Sequence, residues 1–280
     1  MNGGSLIGKG AANSDVTTIN LLSSNSTATI RNGGLVVTSS IFGNAASSLN
    51  VDGGTLRAIE SNSGFINFTG GGTATVLAGG VVIDSAGHDI TIVNGLLGDG
   101  VSTGGGLTKN GLGALVLSGT STYTGATVVN AGTLVVNGAL SGTSGLSLAT
   151  GASVGGTGSI AGNLTFGSGT QLAFDPNTPL TITGTATFAS PSTFGIDDIL
   201  GVSSSTPAGT YTLIAGTVDT TGLANLGSAN AYDLGSGVSA YFQSGSLQMV
   251  VVPEPATVTL AGIAAAATGW IVHRRFRRTR

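Results

Sequence analysis

Short runs of β-branched and aliphatic residues alternate with glycine turns along nearly the whole of this 280-residue chain, and that alternation limits the folds open to it. The clearest runs are Leu35-Val36-Val37-Thr38, Ala74-Thr75-Val76-Leu77, Val81-Val82-Ile83, Ile90-Thr91-Ile92-Val93, Ala114-Leu115-Val116-Leu117, Thr127-Val128-Val129 and Thr133-Leu134-Val135-Val136. Each is three to five residues long and is bounded by Asn-Gly, Gly-Gly or Asp-Gly pairs, the pattern of strands between tight turns. No helical period competes with them before residue 256. The turn glycines Gly33, Gly53, Gly79, Gly105, Gly132, Gly151 and Gly169 stand 20, 26, 26, 27, 19 and 18 residues apart. A loose period of that size predicts a solenoid.

A strand of four residues cannot stand alone. Stacked coils place each strand beside its equivalent in the next coil, close the backbone hydrogen bonds and gather the inward side chains into one apolar column. Eight or nine coils at about 4.8 Å per step predict a rod of roughly 40 Å. A sandwich with Greek-key connections accommodates short strands as well, but recurrence of similar turn-strand phrases favours the solenoid. From about Ile196 the glycine spacing loosens and longer strands are expected at Tyr211-Thr212-Leu213-Ile214 and over 247–252, as a cap covering the open strand edges.

The segment from Gly104-Gly105-Gly106-Leu107-Thr108-Lys109-Asn110-Gly111 to Ser118-Gly119, continued by Tyr123-Thr124-Gly125-Ala126-Thr127-Val128-Val129 and Asn130-Ala131-Gly132-Thr133-Leu134, resembles the autotransporter-associated β-strand repeat. The resemblance covers about 30 residues, with echoes at Asp52-Gly53-Gly54-Thr55-Leu56 and at Gly155-Gly156-Thr157-Gly158-Ser159-Ile160. It implies coils of a right-handed parallel β-helix of the kind found in large surface passengers.

The C-terminus carries a different signal. Pro253-Glu254-Pro255 precedes an uncharged run from Ala256 to Val272, and Arg274, Arg275, Arg277, Arg278 and Arg280 follow. Seventeen apolar residues reach the short end of what a bilayer core requires, lipid demands internally closed backbone hydrogen bonds, and clustered arginines favour the cytoplasmic side. One transmembrane helix is therefore expected, with Trp270 at the headgroups. The three elements in this order resemble the PEP-CTERM protein-sorting signal of certain Gram-negative bacteria. That resemblance implies recognition of Pro253, Glu254 and Pro255 by an exosortase-type membrane enzyme, with Arg274, Arg275, Arg277, Arg278 and Arg280 as a cytoplasmic anchor in the inner membrane. A single helix departs from true autotransporters, which end in an outer-membrane barrel. Met1 opens into Asn2-Gly3-Gly4-Ser5 with neither a basic nor an apolar leader region, so further sequence upstream is expected.

Residues 1–252 hold four cations (Lys9, Arg31, Arg57, Lys109) against eleven acids, a balance that argues against nucleic acid as a partner. With no cysteine, disulfides and thiolate metal sites are excluded. Gly151-Ala152-Ser153-Val154-Gly155 matches the nucleophile-elbow string of α/β-hydrolases but lacks the helix and histidine partner that chemistry needs. Gly156-Thr157-Gly158-Ser159-Ile160-Ala161 imitates a dinucleotide fingerprint and likewise lacks its helix. Asp84, His88, Asp89 and Asp99 form the densest polar group without the register of calcium-binding repeats, and solvated turns are the expectation.

The chain is accordingly read as all-β: a right-handed parallel β-helix over 1–195, a terminal β cap over 196–252, and a sorting tail over 253–280 comprising motif, transmembrane helix and arginine-rich end. The expected function is a non-enzymatic exported surface or extracellular-matrix protein with no cofactor and no metal, whose partners are an exosortase-type enzyme, the inner membrane and exopolysaccharide. Two rivals make different demands. A β-helix polysaccharide-degrading enzyme requires Asp84, Asp89, Asp99 and Lys109 to converge on one groove, and a carbohydrate-binding adhesin requires an aromatic platform.

Overall fold

A computed structural model describes residues 7–8, 15–16, 18–22, 25–189, 194–243 and 247–253. They form a parallel β-solenoid of about eight turns. Each full turn contributes one strand to each of three faces, as in Ser48–Asp52, Gly54–Ala58 and Asn62–Phe68, followed one turn later by Thr73–Val76, Val81–Asp84 and Ile90–Ile92. Pairing between turns is parallel and in register on all three faces, which rules out the antiparallel pairing of a sandwich. Four of the runs legible in the sequence, Leu35–Thr38, Ala114–Leu117, Thr127–Val129 and Thr133–Val136, are strands with those bounds.

Alternation along each strand sends every second side chain inward. On the second face the inward residues stack as Leu56, Ile83, Lys109, Val129, Leu148, Phe166 and Phe188, each opposite the next in register. The third face contributes Ile90, Leu115, Leu134, Val154, Leu172 and Ile199. All of them are buried, and a fully buried aliphatic side chain stabilises by about 1.5–3 kcal/mol. The columns are the core.

Turns between faces are tight, and glycine serves them in two ways. Gly33 adopts φ +74° with open space around it, so only its backbone conformation demands glycine. Gly132 combines φ +68° with a close approach, because a Cβ there would collide with the carbonyl oxygens of Gly111 and Gly113 in the preceding coil.

Towards the C-terminus the triangular section changes. The nine-residue strand Leu180–Phe188 runs across two faces, pairing with Ser159–Ile160 through its start and with Asn163–Phe166 through its end. Ile199–Leu200 adds a last rung to the third face and Ile214–Val218 pairs parallel with Leu180–Phe188. An antiparallel sheet follows, in the order Gly209–Thr212, Gln248–Pro253, Val238–Gln243 and Tyr232–Gly235. Among the described residues no helix is long and apolar enough to cross a membrane. The helix expected over 256–272, with Glu254, Pro255 and the five arginines after it, lies outside the described residues.

Candidate functional site

The coil built from Leu107–Asn110, Ala114–Leu117, Thr120–Ser121, Thr127–Val129 and Thr133–Val136 concentrates the unusual chemistry of the molecule. Lys109 shares the inward side of its strand with Leu107, and its side chain is fully buried. A lysine in an apolar column must carry its charge to polar atoms. Its four-carbon stem runs to the corner between the second and third faces, where Nζ donates to Ser85 Oγ (2.9 Å) and to the carbonyls of Asn110 (3.0 Å), Gly111 (2.7 Å) and Ala131 (3.2 Å). Burial pushes the ammonium down to about 8, while the nearby charges of Asp84 and Asp89 hold it up.

A second buried polar group lies at the corner between the first and second faces. Tyr123, fully enclosed, shares a 2.6 Å hydrogen bond with Thr127 Oγ1, which is 3.1 Å from Thr143 Oγ1 in the next coil. Thr143 in turn donates to backbone carbonyls of Gly125 and Gly145. Desolvation drives the Tyr123 phenol well above the usual range, and the Thr127 bond only partly opposes it. The group therefore acts as a neutral hydrogen-bonding clasp.

The acidic candidates separate. Asp84 faces outward, lies 3.6 Å from Arg57 and accepts the Ala86 amide, as an aspartate at a turn does. Asp89 accepts the amide of Ala114 in the following coil. Asp99 sits at a different corner, where it accepts the amides of Val101 and Ser102 and the Ser102 hydroxyl; those bonds hold its carboxyl below the ordinary range. His88 belongs to the turn after Asp84, its amide bonded to the Ser85 carbonyl. Lys109 turns away from the surface altogether. Among the described residues no three of His, Cys, Asp and Glu are grouped to hold a metal ion.

Ser153 is buried in the strand Ser153–Gly155 with its amide bonded to Gly132, so the elbow-like string continues a β rung. Gly156 takes φ +110° in a turn. Asp197 and Asp198 lie in a short 3-10 turn, where Asp198 accepts the Gly195 amide and burial raises its carboxyl. Pro253 ends the strand Gln248–Pro253 opposite Val238, so the first residue of the sorting motif adjoins the antiparallel sheet.

The outer surface of the second face is polar and sparsely charged. Thr55, Val82, Thr108, Val128, Ser147, Thr165 and Thr187 follow one another in register along the rod, and Thr187 donates to Thr165 across one step (3.4 Å). Beside them run Arg57, Asp84, Asn110 and Asn130, with Asn130 Nδ2 donating to Asn110 Oδ1 at 2.8 Å. A depression of about 250 Å³ at the edge of this face is lined by Gly79, Gly80, Val81, Val82, Gly104, Gly106, Thr108 and Ala126, none of them ionisable. Large aromatic side chains point inward: Tyr123, Phe65, Phe166 and Phe242 are fully buried.

This geometry defines a repeat-built parallel β-solenoid. Within it, residues 107–136, the coil that holds Lys109 and Tyr123, match the family described as the passenger-associated-transport-repeat, in agreement with the resemblance carried by the sequence. No curated protein and no solved structure matches the chain.

The inward lysine was the functional group most easily misread from sequence. It counts as a surface cation in a charge tally, yet strand alternation puts it on the side of Leu107.

Proposed function

We propose that this chain is a structural passenger displayed on, or released from, the surface of a Gram-negative cell, and that it acts without catalysis. The observation that carries the reading is the passenger-associated-transport-repeat at 107–136, embedded in a continuous parallel solenoid. A stack of in-register coils is a stiff spacer, and its weakly charged hydroxyl rows suit many weak hydrogen bonds to exopolysaccharide or to neighbouring cells. The separation of Asp99 from Asp84 and Asp89, and the inward course of Lys109, weigh against the polysaccharide-degrading alternative. The inward packing of the large aromatics weighs against an aromatic adhesin platform.

Sorting in this reading passes through Pro253, Glu254 and Pro255, with the run 256–272 in the inner membrane and Arg274, Arg275, Arg277, Arg278 and Arg280 on its cytoplasmic side until an exosortase-type enzyme acts. The test expresses the whole chain behind a secretory leader in a host that carries such an enzyme. Protease added to intact cells should remove the protein, and a Pro253→Ala/Pro255→Ala variant should stay in the membrane fraction. Complete protection from external protease, with none in the medium, would overturn the passenger reading. Identical partition of the two chains would overturn the sorting route alone.

A further inference from the structure

Solenoid stability is ordinarily a sum over neighbouring coils, because each coil touches only the one before and the one after. The Lys109 ammonium breaks that rule. Its acceptors come from three successive coils: Ser85 in the turn after Val81–Asp84, Asn110 and Gly111 in the turn after Leu107–Asn110, and Ala131 in the turn after Thr127–Val129. We propose that Lys109 is a three-coil coupling device, binding the second-to-third-face corners of these coils into one unit that opens together rather than coil by coil.

The chemistry of the corner supports this assignment. All four atoms around Nζ serve as acceptors, and the Ser85 hydroxyl is itself committed to the Leu112 carbonyl at 2.6 Å. Three ammonium protons are thus shared among four acceptors that have no other buried cation to turn to. If one of the three coils moves away, the remaining acceptors and the charge lose their geometry together, and a buried ammonium without partners is costly. Backbone bonds alone would join only adjacent turns here, as in Ser85 N to Asn110 O (3.0 Å), Gly87 N to Leu112 O (2.7 Å), Asn130 N to Lys109 O (2.9 Å) and Thr133 N to Gly113 O (3.1 Å). Lys109 spans the gap between the outer two. Asp84, with Arg57 paired to it, and Asp89 and His88 are the charged or titratable side chains of the adjoining turns, and none of them bonds to Nζ.

Amide hydrogen exchange on the whole protein at neutral pH reads the coupling. Ser85→Ala removes one acceptor in the first of the three coils, far from the backbone of the third. It should raise exchange several-fold at Asn130 and Thr133 as well as at Gly87. In a Lys109→Met background the same Ser85→Ala change should no longer reach Asn130 and Thr133. If Ser85→Ala alters only the amides around residues 85–88, or reaches Asn130 equally with and without Lys109, the proposal fails. Should Lys109→Met not fold, the single variant decides alone, because transmission to Asn130 and Thr133 is the expected result and confinement to residues 85–88 the contrary one.

Discussion

One inward column of the second face holds two opposite solutions to the same problem. Midway along it stands Lys109, between Ile83 and Val129; at its far end stand Phe166 and Phe188. In the middle, coils lie on both sides, so a cation can find carbonyls from neighbouring turns and hold them in place. At the end the column has no next coil, and polar groups would find water instead. There the chain stacks rings. Phe166 and Phe188 lie 5.0 Å apart, Phe194 packs on both at 5.0 and 4.8 Å, and Phe242 from the antiparallel sheet continues the stack at 6.3 Å. Phe174 and Tyr211 add an edge-to-face pair at 5.2 Å. The middle of the rod is thus tied by directional bonds and its end is closed by apolar volume.

The largest effect should come from opening the ring stack. Phe166→Ala removes a fully buried ring that touches two others, and a loss of about 3–5 kcal/mol in denaturant unfolding is expected. A loss below that of a surface change would mean that the sheet after residue 209, not the stack, closes the rod.

Alkaline pH tests the other half of the comparison. The Lys109 ammonium lies at about 8 in the folded chain and near 10.5 when unfolded, so between those values the unfolded chain binds more protons. Stability should therefore rise with pH across that window, by up to the order of 3 kcal/mol, and the rise should be absent from Lys109→Met. The contribution is fully present above 10.5 and lost as pH falls through 8. A wild-type curve parallel to that of Lys109→Met from 8 to 10.5 would contradict the buried placement.

Smaller effects are expected at the clasp and on the surface. Tyr123→Phe removes one hydroxyl from the Thr127 and Thr143 chain and should cost about 1 kcal/mol in thermal or denaturant melting. Arg57→Ala should change stability by less than about 1 kcal/mol and lose that difference in high salt, because its 3.6 Å pair with Asp84 is half in solvent. If Arg57→Ala matched Tyr123→Phe, the contrast between buried clasps and surface polarity would collapse.

Much of the solenoid was legible because its signals are local. Val, Ile and Leu at alternate positions between glycines mark a strand whatever lies beside it, which is why Leu35–Thr38, Ala114–Leu117, Thr127–Val129 and Thr133–Val136 read correctly. Ser48–Asp52 and Gly54–Ala58 were harder: only Leu49, Val51 and Leu56 carry the apolar signal, and neighbouring coils supply the rest of the burial. The inward course of Lys109 could have been read from its spacing to Leu107, but charge conceals it in any composition argument. Its partners could not be read. Ser85 and Ala131 are 24 and 22 residues away along the chain, and only the stacking of coils makes them neighbours.

By itself the sequence determined that the chain is all-β, that its strands are short and that its turns recur at a coil-sized interval, since backbone preference and side-chain alternation act over a few residues. The tertiary structure decided which strand lies on which. It joined Leu180 to Ile214 across 34 residues, ran one strand over two faces, and gathered four phenylalanines from 166 to 242 into one stack. Those choices depend on volume and on hydrogen bonds closed between distant segments, quantities that no short window of residues contains.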